Sequence, residues 1–302
     1  DRLMKIAVIY GGISSEREVS INTGKEIISN LDKTKYEVIG LELEKAEDIF
    51  KLRDMNVDFV YIALHGIFGE DGRVQAILDS MNIPYSGCGV LSSAMSMDKN
   101  ISKLIVKNSG VRVIDGISVR KGDEINFSDL NLGDKVILKP NSGGSSIGIN
   151  FATNQEEFEK ALNEIFLIDD EALVERIMKG IEISVPIIKG EVFPTILIEP
   201  LKDTFFDYKS KYENGGALEY VHEFEKELQN EIDDFTRKVY KSLKCKGYAR
   251  VDYILVDNRA YFLEINTLPG MTKNSLLPKS TLSKGYSYTQ TLDLLIEAST
   301  ND

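Results

Sequence analysis

The stretch YARVDYILVDNRAYFLEINTLPG, Tyr248 to Gly270, sets Asp252, Glu264 and Asn266 inside what otherwise reads as a buried β-hairpin. Strands disfavour all three residue types, and a buried carboxylate without a partner is costly or loses its charge. Val251 to Val256 and Ala260 to Ile265 are strand-like, joined by Asp257-Asn258-Arg259. A three-residue turn puts Val256 opposite Ala260, Asp252 opposite Glu264 and Arg250 opposite Asn266. Alternation then sends Val251, Tyr253, Leu255, Tyr261, Leu263 and Ile265 to a core face. The other face is apolar near the turn (Ile254, Val256, Ala260, Phe262) and polar at the open end. A two-residue turn would instead put Asp252 and Glu264 on opposite faces. Two carboxylates and an amide oxygen facing one another suit a hard cation such as Mg²⁺ shared with phosphates. The alternative is an ion pair of Arg250 with Asp252 or Glu264.

A chain of 302 residues can bury two or three cores. The net charge of −12 argues against nucleic acid as a partner, because phosphate backbones require a basic surface. No apolar run reaches the ~20 residues that span a bilayer, and no signal-peptide pattern opens the chain, so no membrane association is expected. Cys88 and Cys245 lie far apart without metal-ligand spacing, and the two histidines, His65 and His222, exclude a histidine-rich metal site. A reduced, cytoplasmic protein is the expectation.

MKIAVIYGG reads as a buried parallel strand ending in a tight loop, and SEREVSINTGKEIISNL as a helix capped by Ser14 or Ser15. YEVIGLEL, DFVYIALHG and IPYSGCG are further strands, and this alternation implies a parallel α/β sheet over roughly the first 95 residues. A helix over SMDKNISKLIVKNSG follows, then the hairpin DKVILKPNSGGSSIGINFAT, a helix over NQEEFEKALNEIFLID, and EALVERIMKG leading into a strand. From IEISVPII onward a larger antiparallel sheet begins. DTFFDYKSKYENGGALEYVHEF is polar and glycine-containing, and reads as a mobile loop over 203–224.

LKPNSGGSSIG, Leu138 to Gly148, offers many N–H and hydroxyl donors between strands, which suits covering phosphates. It is not a P-loop, because no lysine follows the glycines; Lys139 precedes them. A plain hairpin turn is the alternative. Lys99 alone could be a surface lysine of its helix.

The ordered set YGGISSEREVS, LHGIFGEDG, SMDK, LKPNSGGSSIG, FDYKSKY, ARVDYI and LEINTLPGMT resembles the D-alanine–D-alanine ligases of the ATP-grasp superfamily, from about Lys5 to Leu277. The resemblance implies a mixed α/β and α+β ATP-grasp fold: an N-terminal parallel α/β domain over 1–96, a central domain over 97–180 and a C-terminal domain over 181–302, the last two clamping ATP. It implies ligation of two D-alanines through an acylphosphate, for peptidoglycan precursors, and a homodimer. Asp252, Glu264 and Asn266 would hold two Mg²⁺ or Mn²⁺ ions. Lys99, Lys139 and Lys211 would contact phosphates, and the loop containing Ser142, Gly144 and Ser146 would cover them. Glu175 would accept from the adenine amino group, Met178 would offer backbone groups, and Glu182 would accept from a ribose hydroxyl; apart from the resemblance, Glu175 and Glu182 read as solvated strand residues. Glu16 would pair with the first ammonium and form a triad with Ser145 and Tyr212 that closes the loop. Arg250 and the Gly270 N–H would form the oxyanion hole. Ser275 and the Leu276 N–H would bind the second carboxylate, and His65 would lie near the first substrate. For the proton of the second amine, both Tyr212 through Ser145 and the acylphosphate itself are candidates.

Relatives that use D-lactate or D-serine differ in these motifs. Tyr212 in SKY and EREVS after Ser15 argue against the lactate type, and D-serine is less firmly excluded. The loop is also richer in glycine than is usual in the family.

Overall fold

The computed structural model describes residues 2–143, 148–201 and 216–300. Met4–Gly11 forms β1, and its unbroken apolar run is buried on both sides. Ile6 and Val8 enter one core and Ala7 and Ile9 another, as a central parallel strand requires. β2 (Tyr36–Leu43) and β3 (Phe59–Ile62) flank it in parallel, in the order β2-β1-β3. The expected strand IPYSGCG contributes only one bridge, Tyr85 to Val60. The chain leaves the sheet there because Gly87, at a φ of +85°, turns it towards the next helix.

Helix α1 (Arg17–Asn30) covers the sheet, and its cap differs from expectation. Glu16 holds the N-cap position without a side-chain cap bond, because Ser14 Oγ donates to the His65 carbonyl at 2.6 Å. Helix α2 (Arg73–Ser80) follows β3, and α3 (Val90–Met97) precedes α4 (Lys99–Asn108). Asp98 separates the last two, and its carboxylate caps α4 by accepting from the Ile101 N–H at 2.8 Å.

The next sheet contains β4 (Gly116–Arg120), β5 (Val136–Pro140), β6 (Asn150–Ala152) and β7 (Glu171–Arg176), in the antiparallel order β4-β7-β5-β6. Val136, Leu138, Ala172 and Val174 pack on Phe158 and Ile165 of α5 (Gln155–Ile165). By alternation, Lys139 and Glu175 belong to the opposite face.

The largest sheet joins β8 (Ile181–Ile188), β9 (Glu191–Val192), β10 (Ile196–Pro200), β11 (Ala217–Val221), β12 (Tyr248–Val256) and β13 (Arg259–Asn266). Its order is β11-β10-β8-β12-β13, with β9 paired to β8. β11 corrects the expectation of a continuous loop over 203–224: Ala217–Val221 pairs antiparallel with β10. Residues 202–215 lie outside the described residues. Helix α6 (Lys226–Ser242) covers one face through Leu228, Ile232, Phe235 and Val239. Helices α7 (Leu276–Ser283) and α8 (Tyr288–Thr300) return to the first sheet, where Leu277, Leu292 and Leu295 share a core with Ile6, Val8 and Ile27.

The β12–β13 hairpin pairs Asp252 with Glu264 and Arg250 with Asn266, as expected, but through a different turn. Val256 pairs with Arg259, so the turn has two residues, and Asp257 and Asn258 have φ of +50° and +60°. Two successive positive φ values belong to the tight turn whose twist matches that of the strands. A bulge between Asp252 and Tyr253 leaves Leu263 as the extra residue, and this restores the pairing at the open end. The face assignment near the turn is therefore corrected. Ala260 and Phe262 join Val251, Tyr253, Leu255 and Ile265 in the core beneath α6, and Tyr261 and Leu263 do not.

Candidate active site

The face of the large sheet away from α6 carries Glu182 and Ser184 on β8, Arg250 and Asp252 on β12, and Glu264 and Asn266 on β13. Asp252 is 6% exposed. Its Oδ1 accepts from Ser184 Oγ at 2.6 Å, and Arg250 reaches its two oxygens at 3.2 and 3.1 Å. The ion pair considered as an alternative for Arg250 is thus present, on the same carboxylate expected to bind a cation. Asn266 Oδ1 accepts from the Leu268 N–H at 3.2 Å, which fixes its amide. Among the described residues, no group of three His, Cys, Asp or Glu side chains could hold a metal. The set here is two carboxylates and one amide oxygen lining a single cavity, a donor set that fits Mg²⁺ or Mn²⁺.

That cavity also receives Glu16, His65, Lys99, Gly270 and Leu276. Glu16 comes from the start of α1 and His65 from the end of β3, where parallel sheets place ligand residues. Burial raises the Glu16 carboxyl above its ordinary range. Burial also lowers the His65 imidazole to about 4, against a backbone hydrogen bond with Leu268 that opposes the shift. His65 is therefore neutral at pH 7, with Nε2 3.4 Å from Thr23 Oγ1. Gly270 adjoins Ser275, and a Cβ at 270 would come within 3.2 Å of Ser275 Oγ. That oxygen accepts from the Thr272 N–H at 3.1 Å, and Ser275 is the N-cap residue of α7, which Leu276 opens.

Sequence reasoning missed Glu70, which lines the same cavity. Its carboxyl is pushed up to about 8, chiefly by burial. The Gly66 N–H, donating at 2.5 Å, and Arg250 oppose the shift, whereas Glu16 and Glu264 reinforce it. The only sequence signal is an acidic pair inside LHGIFGEDG. This carboxyl is neutral in the fold up to about pH 8 but ionises near 4.5 when unfolded. Its contribution is therefore fully present below pH 4.5 and lost as pH rises to about 8. Glu70→Gln, which keeps the acceptor for Gly66, should gain on the order of 2–4 kcal/mol over the parent at pH 8 and nothing at pH 4.5. Urea unfolding at both values checks this, and an equal gain at both would refute the assignment.

On the nucleotide side, Lys99 Nζ donates to the Gly143 carbonyl at 2.5 Å. Lys139 Nζ lies 2.9 Å from Glu175 Oε1, and Lys103, not singled out from sequence, donates to Glu175 Oε2 at 2.8 Å. Glu175 is not a solvated strand residue: it is 5% exposed between two lysines. Met178 lies in the crossing from β7 to β8, and the Ser142 N–H donates to Asp169 at 2.8 Å. Lys139, Ser142, Glu175, Met178, Glu182 and Ser275 stand outside the wall of the cavity. Gly144, Ser145, Ser146, Lys211 and Tyr212 lie outside the described residues.

The family profiles for the D-Ala–D-Ala ligase C-terminus and N-terminus match residues 105–297 and residues 5–55 and 45–88. The chain is 48% identical to a D-alanine–D-alanine ligase of Clostridium beijerinckii over 98% of both chains. It is 46% identical to one of Clostridium perfringens, again over 98% of both. Among solved structures, the D-alanine–D-alanine ligase of Bacillus anthracis complexed with ATP matches with a TM-score of 0.88 at 42% identity, over 98% of this chain and 97% of that one. The D-Ala:D-Ser ligase VanG of Enterococcus faecalis matches with a TM-score of 0.83 at 27% identity, over 99% and 100%. The fold is that of the ATP-grasp ligases, and the chain belongs to the D-alanine–D-alanine ligase family.

Proposed function

We propose that this chain joins two D-alanines, at the expense of ATP, into the dipeptide used for peptidoglycan precursors. The observation that carries the reading is one cavity gathering Glu16 and His65 from the first sheet with Arg250, Asp252, Glu264, Asn266 and Gly270 from the last. The carboxylate of the first D-alanine attacks the γ-phosphorus, and the bond to ADP breaks to give an acylphosphate. The second amine attacks the acyl carbon, inorganic phosphate leaves with the C–O electrons, and the amine loses its proton.

Bringing a carboxylate to a triphosphate is chiefly a problem of charge neutralisation. Asp252, Glu264 and Asn266 would hold two divalent cations, Mg²⁺ or Mn²⁺, which when bound neutralise phosphate oxygens. Lys99 and Lys139 approach the phosphates, with Lys211 a third lysine on the segment outside the described residues. Glu16 pairs with the first ammonium, next to a neutral His65. Arg250 and the Gly270 N–H stabilise the oxyanion, and Ser275 with the Leu276 N–H binds the second carboxylate. Glu175 accepts from adenine, Met178 offers backbone groups, and Glu182 accepts from the ribose. Ser145 and Tyr212 close over the substrates with Glu16, and Ser142, Gly144 and Ser146 cover the phosphates. Identity of 46–48% over nearly the full length of both chains to D-alanine–D-alanine ligases of Clostridium supports D-alanine at both subsites. A cytoplasmic homodimer completes the reading. Among the described residues no helix is long and apolar enough to cross a membrane.

The test is phosphate release with D-alanine, L-alanine, D-serine and D-lactate, with products identified by mass. Formation of the D-alanine dipeptide with D-alanine alone is expected. A mixed product with D-serine or D-lactate would overturn the second-subsite assignment, and no product at all would overturn the substrate class. Glu16→Gln should raise KM for the first D-alanine at least about tenfold while leaving that for ATP nearly unchanged. The reverse pattern in initial-rate kinetics would place Glu16 elsewhere.

A further inference from the structure

Lys103 stands one helical turn after Lys99 on α4, so both lysines leave the same side of the helix. Lys99 turns to the Gly143 carbonyl, and Lys103 turns to Glu175. Glu175 thereby has one lysine on each oxygen, Lys103 on Oε2 at 2.8 Å and Lys139 on Oε1 at 2.9 Å. The Lys103, Lys139 and Glu175 side chains are only 13%, 15% and 6% exposed. A carboxylate offers about four acceptor directions, so two lysines leave room for another donor. The neighbouring strand leaves space for the pair. Gly116 faces Glu175 in the β4–β7 register, and a Cβ there would come within 2.8 Å of Glu175 Cγ and 3.1 Å of Lys103 Nζ.

We propose that Lys103 is a positioning residue for nucleotide selection, holding Glu175 as an oriented anion that accepts from the 6-amino group of adenine and rejects a 6-oxo purine. The proposal rests on the adenine role of Glu175 given above. The physical reason is the balance around a buried carboxylate. Burial alone favours the neutral acid, but Lys139 and Lys103 outweigh it, and the Glu175 carboxyl lies below its ordinary range. The charged groups facing it are Lys103, with Lys99 more weakly, from α4 and Lys139 from β5, while β4 presents only Gly116. Without Lys103 a single close cation remains, and the balance moves towards the neutral acid. A neutral acid donates a proton, which opposes the adenine amino group and suits the oxygen of guanine.

Lys103→Met should raise KM for ATP at least about tenfold with kcat within about threefold, and narrow the preference for ATP over GTP. Its KM for ATP should fall as pH rises from 6 to 9, because alkali restores the anion, whereas that of the parent stays level. Lys103→Arg, which keeps charge and donors, should restore parental values. If the Met variant does not fold, Lys103→Gln replaces it, since a neutral donor still leaves the carboxylate under-compensated and gives the same pH dependence. Unchanged KM for ATP, or a loss of kcat alone without the pH dependence, would overturn the proposal. Glu175→Leu, which removes both acceptor oxygens where a glutamine would keep one, separates this from the underlying reading. If it leaves ATP binding and purine preference unchanged, the adenine role itself fails. If it weakens both while the Lys103 variants behave as the parent, only the role of Lys103 fails.

Discussion

Arg250→Ala should lower kcat for dipeptide formation by about 10²-fold or more, with a smaller change in KM for either substrate. The side chain lines the cavity beside Gly270 and grips both oxygens of Asp252. On the function proposed above it would supply fixed positive charge where a tetrahedral oxyanion forms, and it holds in place the carboxylate proposed to bind the cations. Its loss leaves Asp252 with only the Ser184 hydroxyl of the partners described above, so a stability loss of roughly 1–3 kcal/mol should accompany the kinetic effect. Arg250→Lys keeps the charge but not the two-pronged grip, and should recover only part of the rate. Steady-state kinetics and thermal unfolding on the same samples separate the two contributions. A destabilised variant with parental kcat would leave Arg250 as a mere partner of Asp252 and remove it from the reaction.

Gly180→Ala should be the most damaging small substitution in the chain's framework. Gly180 ends the crossing from β7 to β8, and a Cβ there would lie 2.0 Å from the Leu255 carbonyl oxygen and 2.9 Å from Val256 Cγ2. The first obstacle is backbone of β12, hydrogen-bonded in the sheet beside Ile181, so no rotamer change relieves it. The strand or the crossing must shift, at a cost of roughly 3 kcal/mol and a fall in Tm on the order of 5–10 °C. Because this crossing joins the two sheets, KM for ATP should rise as well. An unchanged Tm would mean that β12 yields more readily than a paired strand should.

The sequence carried the fold in its alternations. MKIAVIYGG announces a strand buried on both faces, and IEISVPII one strand of the sheet beneath α6. The pairing of Asp252 with Glu264 was also legible, though the route to it was not. The Asp257-Asn258 pair tolerates positive φ and signals a two-residue turn, and only the bulge at Leu263 brings the carboxylates back to one face. A bulge of this kind follows from which side chains fit beneath α6, and that depends on contacts with Val185, Phe235 and Val239, distant in the chain.

Local patterns record only what neighbours in the chain require of each other. They were sufficient for the order of strands and helices, the donor types at the open end of the hairpin, and the family to which the chain belongs. Charge state and orientation within the site were decided by the tertiary structure. Nothing in the sequence around Glu70 beyond an acidic pair marks it out, yet the fold encloses it near Glu16 and Glu264 and pushes its carboxyl up to about 8. Glu175 reads as a solvated strand residue, yet the fold brings it between lysines from α4 and β5. Desolvation and Coulomb interactions add over everything within a few ångströms, whatever its distance along the chain, so they exist only once the sheets and helices have met.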